Sequence, residues 1–412
     1  MSSLSQRATS YIHQVRGFNR NCRLALASSL LNGTAQGIFS VVFNLYILSL
    51  GITPDVLGRV LSADPFAQAL GSIPVGFLAE IVGFRNSFLS IYGLNGLAKL
   101  VQSTVELLPI IALAGFTGGL AYSGDFVVRL PFLAANTEGP QRTLAYTVQN
   151  MVFGVSVSLG ALFAGFAPNW FLRWAPNLTV AYRYTLYAAA GMGLLSLLPN
   201  SLLREQRSRN PRKISLNPYL RGMDRFTQQQ ALVSLFVGLS FGTLMSFANV
   251  YFVYGLRTSR EFFGTISALA IVPIALATAF GPAFAHRLGT VRAVTWLRYA
   301  IPVSLLTLAL TRNPWVATLA YWGQRALAMT SQPLSFAVAM DRASQKAKTA
   351  VSAWLNVTFW LGIAVSAPVT GMFIARSDYA TPLYLAAIAI FLAGLTNQLF
   401  FGSGRSGTRE EM

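Results

Sequence analysis

The residues Gly76-Phe77-Leu78-Ala79-Glu80-Ile81-Val82-Gly83-Phe84-Arg85 close a long apolar block with a glycine, an acid, a second glycine suited to a tight turn, and a base. The chain carries a second version, Gly281-Pro282-Ala283-Phe284-Ala285-His286-Arg287-Leu288-Gly289, with Arg292 just beyond it. Gly58 lies 25 residues before Gly83, and Gly264 lies 25 residues before Gly289. The two copies are 206 residues apart, half of the 412-residue length. Arg142 and Lys348, Thr143 and Thr349, and Gly165 and Gly371 keep the same offset. A constant offset over five landmarks is the mark of an internal duplication and predicts two tandem halves with one common fold.

Hydrophobic residues make up 54% of the chain and charged residues 11%, against about 25% charged in an average soluble domain. The apolar residues run in blocks such as Leu24 to Leu50, longer than the ~20 residues that cross a bilayer as a helix. The expected fold class is therefore an all-α membrane protein. Twelve transmembrane helices fall at 24–49, 56–79, 87–107, 110–134, 143–167 and 180–199, then at 229–254, 262–285, 293–311, 315–338, 350–374 and 382–401. The domain expectation is a cytoplasmic segment at 1–23, a six-helix bundle at 24–199, a basic linker at 200–228, a pseudo-symmetric six-helix bundle at 229–401 and a tail at 402–412. In the first segment, Tyr11, Ile12, Val15 and Phe18 set against Arg7, Arg16 and Arg20 fit either a surface helix or a basic tail.

The net charge of +18 belongs to the membrane surface and not to nucleic acid. With a cytoplasmic N-terminus, 20 Lys and Arg residues fall on the inner side and 7 on the outer, Arg59 and Arg183 being counted there from the outer ends of their spans, while Lys99, Arg129, Arg298 and Arg325 fall deeper inside spans. This bias towards the inner side orients both termini to the cytoplasm of a cell (inner) membrane, where basic loops face anionic lipid. The single Cys22 leaves no partner for an intramolecular disulfide.

Twelve spans, a central basic loop and a half-length repeat resemble the major facilitator superfamily over nearly the whole chain. Gly76, Gly83 and Arg85 match the family's pattern after the second span, with Glu80 in place of an aspartate; Ile81 and Phe84 replace basic positions. The second copy keeps Arg287 and Gly289 and places His286 where the acid belongs. The resemblance implies that Gly76, Glu80, Gly83 and Arg85, with His286, Arg287 and Gly289, form gating turns, and that spans 1, 4, 7 and 10 line a central cavity. It also implies alternating access, with two bundles rocking about a midplane site.

Charges inside spans are the strongest site candidates, because an ionisable group in a membrane costs several kcal/mol unless it has a partner or faces water. Asp125 and Arg129 are four apart and share a helix face, so they can pair. Arg325 stands on span 10, the counterpart of span 4. These three are the expected cavity-facing charges, with a local salt bridge and a helix contact as the structural alternative. Asp64 on span 2 is a candidate proton carrier or a partner for an outer-loop amide. Lys99 suits a snorkelling or interhelical role, and Arg298, closer to the inner surface, a snorkelling one. On spans 1 and 7, Asn44 and Asn249, and Tyr46 and Tyr251, recur 205 apart; with Asn32 and Gln36 they suit a polar substrate or, equally, contacts between helices. Trp354, Asn356 and Trp360 on span 11 are weaker candidates. Span 5 places Ser156, Gly160, Ala161, Ala164 and Gly165 on the family's antiporter pattern, small throughout but without its proline.

No phosphate-binding loop, metal-spaced Cys/His cluster or nucleophile elbow is present in the sequence, and Gly191-Met192-Gly193 falls inside a span and not after a strand. No cofactor, metal or enzymatic activity is expected. The expected function is secondary active transport, with proton-coupled export (efflux) of a small organic or drug-like compound favoured over uptake of a sugar or organic acid by proton symport. A transport-inactive sensor or assembly partner is the reading from another class. The expected partners are the small-molecule substrate, a coupling proton and the lipid bilayer, and the expected state is a monomer. Arg129, Arg325 and Lys99 against few acids suit an anionic substrate.

Overall fold

The computed structural model describes residues 17–75, 81–137, 140–204, 224–344 and 347–401. Gly76 and Glu80, the N-terminal segment up to 16, most of the linker and the tail lie outside the described residues. The described secondary structure is helical throughout. It runs α1 (Arg20–Ser49), α2 (Pro54–Gly71), α3 (Phe84–Thr104), α4 (Leu108–Ala135), α5 (Pro140–Phe171), α6 (Leu178–Leu195), a short α7 (Leu197–Ser201), α8 (Arg225–Val250), α9 (Arg260–Leu269), α10 (Ile271–Leu288), α11 (Thr290–Leu310), α12 (Pro314–Arg342), α13 (Lys348–Ala375) and α14 (Ala380–Phe401). Side chains with few alternatives set the starts. Asn19, Asn177, Asp224, Ser259 and Asn313 accept hydrogen bonds from first-turn amides of α1, α6, α8, α9 and α12.

Eight described segments are long and apolar enough to cross a membrane. Among them are Arg20–Ser49, Leu108–Ala135, Arg225–Gly255 and Ala380–Phe401. The other expected spans are helical too, but shorter or more polar: α2 carries Asp64 and Gln68, α3 carries Asn95, Lys99 and Gln102, α6 carries Arg183, and α12 carries Gln324 and Arg325.

The chain divides into two compact units: Met1–Ile214 with Phe252–Ile271, and Ser215–Tyr251 with Val272–Met412. In unit 1, α1 packs on α5 and α6, α3 packs on α4 and α6, and α2 packs on α4. In unit 2, α8 packs on α13 and α14, and α11 packs on α12 and α14. Four of these pairings are the same pairing repeated. Gly37 brings α1 against the backbone of Val157 and Ala161, and Gly242 brings α8 against Ile363 and Ser366. Gly83 and Gly289, 206 apart, have φ of 87° and 82° and each precedes the helix that follows the turn. Tyr46 donates to the Ser103 carbonyl at 3.2 Å and Tyr251 to the Leu308 carbonyl at 2.5 Å, both across 57 residues.

The offset is 205 at Tyr46 and Tyr251 but 206 at Gly58 and Gly264, so the second half gains one residue between them. A π-helical turn at Tyr251–Gly255 lies in that interval, and its wider i→i+5 bonding takes up an extra residue without breaking the helix. The pairing that does not repeat is α2 with α4. There Gly119 lets the backbone of Asp64 touch α4. Counting on by 206, Arg325 stands at the place of Gly119 and Ala270 at the place of Asp64. Ala270 is where span 8 breaks between α9 and α10. In unit 1, α9 packs on α5, with Gly264 against Gly165, and Arg260 donates to Tyr182 at 3.1 Å and Asn169 at 2.9 Å.

The start of the chain corrects one expectation. Phe18, expected on a surface helix or in a tail, is 2% exposed and packs in a core with Phe88, Tyr92, Phe132 and Leu203. The adjoining Asn19 and Asn21 donate to Asn136 at the end of α4.

Backbone geometry separates two kinds of glycine. Gly289→Ala is expected to cost about 1–3 kcal/mol, because its φ and ψ lie where side chains rarely go. Gly191→Ala, in α6 with no neighbour at its Cβ position, is expected to stabilise by about 0.5–1 kcal/mol. Thermal unfolding of the purified protein in detergent checks both, and equal shifts would contradict the assignment.

Candidate functional site

The densest polar cluster inside unit 1 is built on α4. Arg129 and Asp125, one helical turn apart, form an ion pair at 2.6 Å with about a tenth of each side chain exposed. Tyr92 of α3 donates to Asp125 at 2.5 Å, and Arg129 donates to the Tyr92 hydroxyl at 2.5 Å and to Ser29 of α1 at 3.0 Å. Gln149 of α5 closes on Ser29 through its side-chain amide. The guanidinium also lies over the Phe153 ring of α5, 5.7 Å from its centroid. Beside this cluster Tyr122 of α4 faces Gln36 and Asn32 of α1. Asn32 Nδ2 and Gln149 Oε1 are buried without a hydrogen-bond partner. Four helices thus converge on one buried carboxylate–guanidinium pair.

Removing such a charge from water costs several kcal/mol, and only a close counter-ion and filled hydrogen-bonding positions offset it. Asp125 supplies the counter-ion, and Tyr92 and Ser29 fill further positions. A change there alters what holds α1, α3 and α5 to α4.

The other expected residues are distributed as follows. Lys99 is buried, donates to Asn95 on its own helix at 2.6 Å and lies 5.7 Å from the Phe39 ring centroid. Asp64 accepts from Gln68, one turn on, at 2.6 Å, and not from a loop amide. The phenol of Tyr46 also accepts from Arg183, which is paired with Glu106. Tyr46 and Tyr251 are therefore committed to contacts between helices, and Asn44 and Asn249 are buried beside them. Gln36 is half-buried on α1. Asn356 bonds its own helix at Ser352. Of the turn residues, Gly83 is buried and Arg85 half-buried, while His286 and Arg287 are exposed in the last turn of α10 before Gly289.

In unit 2, Arg325 lies over the Phe241 ring at 5.8 Å, and its Nε has no hydrogen-bond partner. Arg298 is not a snorkeller: it is 4% exposed and donates to Ser335 at 2.7 Å and to the Ala393 carbonyl at 3.5 Å. Its Nε is likewise unpartnered. A narrow cleft is lined by Ser240, Phe241, Ile301, Gln324, Ala328 and Ser331.

Sequence reasoning missed Tyr92, Ser29, Gln149 and Gln324. Single-helix spacing brought Asp125 to Arg129 but is blind to partners on other helices. The repeat offset carried a signal for one of them: Tyr92 plus 206 is Arg298, so a polar residue stands at that place in both halves.

The profile of the Major Facilitator Superfamily matches residues 25–367. The chain is 24% identical over 144 residues to YfkF, an uncharacterised transporter of this type from Bacillus subtilis (strain 168), across 35% of this chain and 36% of that relative. The match therefore spans about a third of that relative's length. Among solved structures, the nucleoside transporter NupG has a TM-score of 0.75 at 12% identity, covering 93% of this chain and 100% of that one. A bacterial homologue of the human lysosomal transporter Spinster, in an inward-facing and occupied conformation, gives 0.70 at 16% identity over 92% and 95%. These likenesses are of fold. With the profile matching most of the chain, the protein belongs to the Major Facilitator Superfamily and is a multi-pass membrane protein.

Proposed function

We propose that this protein is a secondary active transporter that works by alternating access and exports a small organic compound from the cytoplasm in exchange for protons. The observation that carries the proposal is the buried Asp125–Arg129–Tyr92 cluster. A proton arriving at Asp125 removes the counter-charge of Arg129 and changes the hydrogen bonding of Tyr92. Arg129 also bonds Ser29 of α1, so the change in charge reaches the packing of α1 with α4 and α5. A single protonation then shifts the relative stability of two conformations, which is what coupling requires.

The small residues of span 5 favour export by antiport over symport. The 20 inner against 7 outer basic residues support cytoplasmic termini and a cell-membrane location. Fold likeness at 12–16% identity carries no substrate.

Proteoliposomes with an imposed pH gradient test the coupling, read as compound-dependent proton movement over a panel of organic compounds. Asp125→Asn is expected to reduce gradient-driven flux to background while the protein still reaches the membrane. Wild-type flux in that variant would remove Asp125 from the coupling step. Arg325→Ala is expected to abolish transport without loss of membrane insertion, and normal flux would exclude it from the site. Arg129→Ala, which strands a buried carboxylate, is expected to cost about 3–5 kcal/mol. Replacing both partners by neutral residues should cost less than the sum of the single changes, measured as a double-mutant cycle.

A further inference from the structure

The cleft in unit 2 occupies the repeat counterpart of the Asp125 cluster. Helices α3 and α11 start and end 206 apart, and α4 and α12 start 206 apart, so positions can be matched one by one. Tyr92 corresponds to Arg298 and Arg129 to Ser335. The bond between them recurs across the same 37 residues in each unit, with the guanidinium moved to the other helix. Tyr122 corresponds to Ala328, Asp125 to Ser331 and Gly118 to Gln324. Unit 1 therefore holds a phenol ring and a carboxylate where unit 2 has a methyl group and a hydroxyl, and the space they leave is part of the cleft.

The charges differ in the same way. In unit 1, Arg129 is paired with Asp125 and Arg183 with Glu106. Among the described residues of unit 2, Arg298 and Arg325 are in no ion pair, and the acids Asp224, Asp341 and Asp378 lie at helix ends or in a loop. Arg298 is one turn along α11 from Ile301, and its partner Ser335 is one turn along α12 from Ser331; both Ile301 and Ser331 line the cleft. Arg325 lies over the ring of Phe241, which lines the cleft. Gln324, 2% exposed, lines the cleft, and its Oε1 has no hydrogen-bond partner.

We infer that the cleft is the subsite for the carboxylate of the transported compound, an organic anion that also carries a hydroxyl. The carboxylate takes the place that Asp125 fills in unit 1 and compensates Arg298 and Arg325. The hydroxyl donates to Gln324 Oε1. This inference rests on the transporter reading and adds the substrate class.

Purified protein, delipidated in neutral detergent, tests it with four probes at millimolar concentration: lactate and 4-hydroxybenzoate, and their uncharged amides. At least one acid should raise the Tm by several degrees while its amide does not. Ser331→Asp installs the missing carboxylate; it should raise the Tm of the empty protein and abolish the response to the acid. Arg298→Gln should lose the acid response at least tenfold in apparent affinity without lowering the empty-protein Tm, whereas a purely structural arginine would lower it. Equal shifts by acid and amide, no shift by either acid, or a Ser331→Asp variant that is destabilised and still responds would each overturn the assignment. Stabilisation by phosphatidylglycerol alone would overturn it too, by assigning the cleft to a lipid headgroup. Gradient-driven flux that persists after any of these failures leaves the transporter reading intact, so the two can fail separately.

Discussion

An ion inside an apolar helical body needs a counter-ion or filled hydrogen-bonding positions, and the arrangement around Arg129 in unit 1 follows from that requirement. Arg129 has no water to rely on at a tenth exposure, so Asp125 sits one turn away and Tyr92 and Ser29 take further hydrogen bonds. Each of those partners comes from a different helix. The pairing of charges therefore also fixes which helices lie next to α4, and the close approach of α1 to α5 through small residues holds the remaining side. Apolar burial alone would not do this, because lipid is as apolar as leucine and gives helices little reason to choose one neighbour over another.

The parts of the fold that were legible in the sequence are those that depend on spacing along one chain segment. The 206-residue offset gave two halves, and the positive φ at Gly83 and Gly289 gives the physical reason those glycines recur. Four-residue spacing gave the Asp125–Arg129 pair. What was not legible depends on neighbours distant in sequence. Tyr92 is 33 residues from Asp125, and nothing in its local sequence separates it from an ordinary packing aromatic. Tyr46 and Tyr251 sit at matched places because both fasten helices, a role their spacing allowed but did not select over substrate contact. Phe18 looked like part of a surface face because its partners, Phe88, Phe132 and Leu203, come from three other segments.

The two units show how a duplicated backbone tolerates change. One added residue between Tyr251 and Gly264 is absorbed by a single π turn, so the helix keeps its direction and the landmarks beyond it return to register. A larger change occurs where Gly118 and Gly119 of α4 give way to Gln324 and Arg325 of α12. In unit 1 the glycine lets the backbone of α2 rest on α4. Two long polar side chains cannot serve that contact; span 8 breaks at Ala270, and its first part, α9, belongs to unit 1 and packs on α5.

The polar content of the two units differs in charge more than in position. Unit 1 answers the buried guanidinium of Arg129 with a carboxylate from the same helix, while its buried Lys99 is held by Asn95 and the Phe39 ring. Unit 2 keeps a guanidinium at the place of Tyr92, bonded to a hydroxyl at the place of Arg129, and has Ser331 where the carboxylate would be. A hydroxyl and a carbonyl satisfy donors but do not neutralise a charge, so a cost of several kcal/mol persists at Arg298. Replacing that arginine with an apolar side chain would remove the cost, and the fold of unit 1 demonstrates that a tyrosine fits the same position. An expense of that size, at one place in a marginally stable protein, is what the inferred carboxylate of the transported compound would offset during the working cycle.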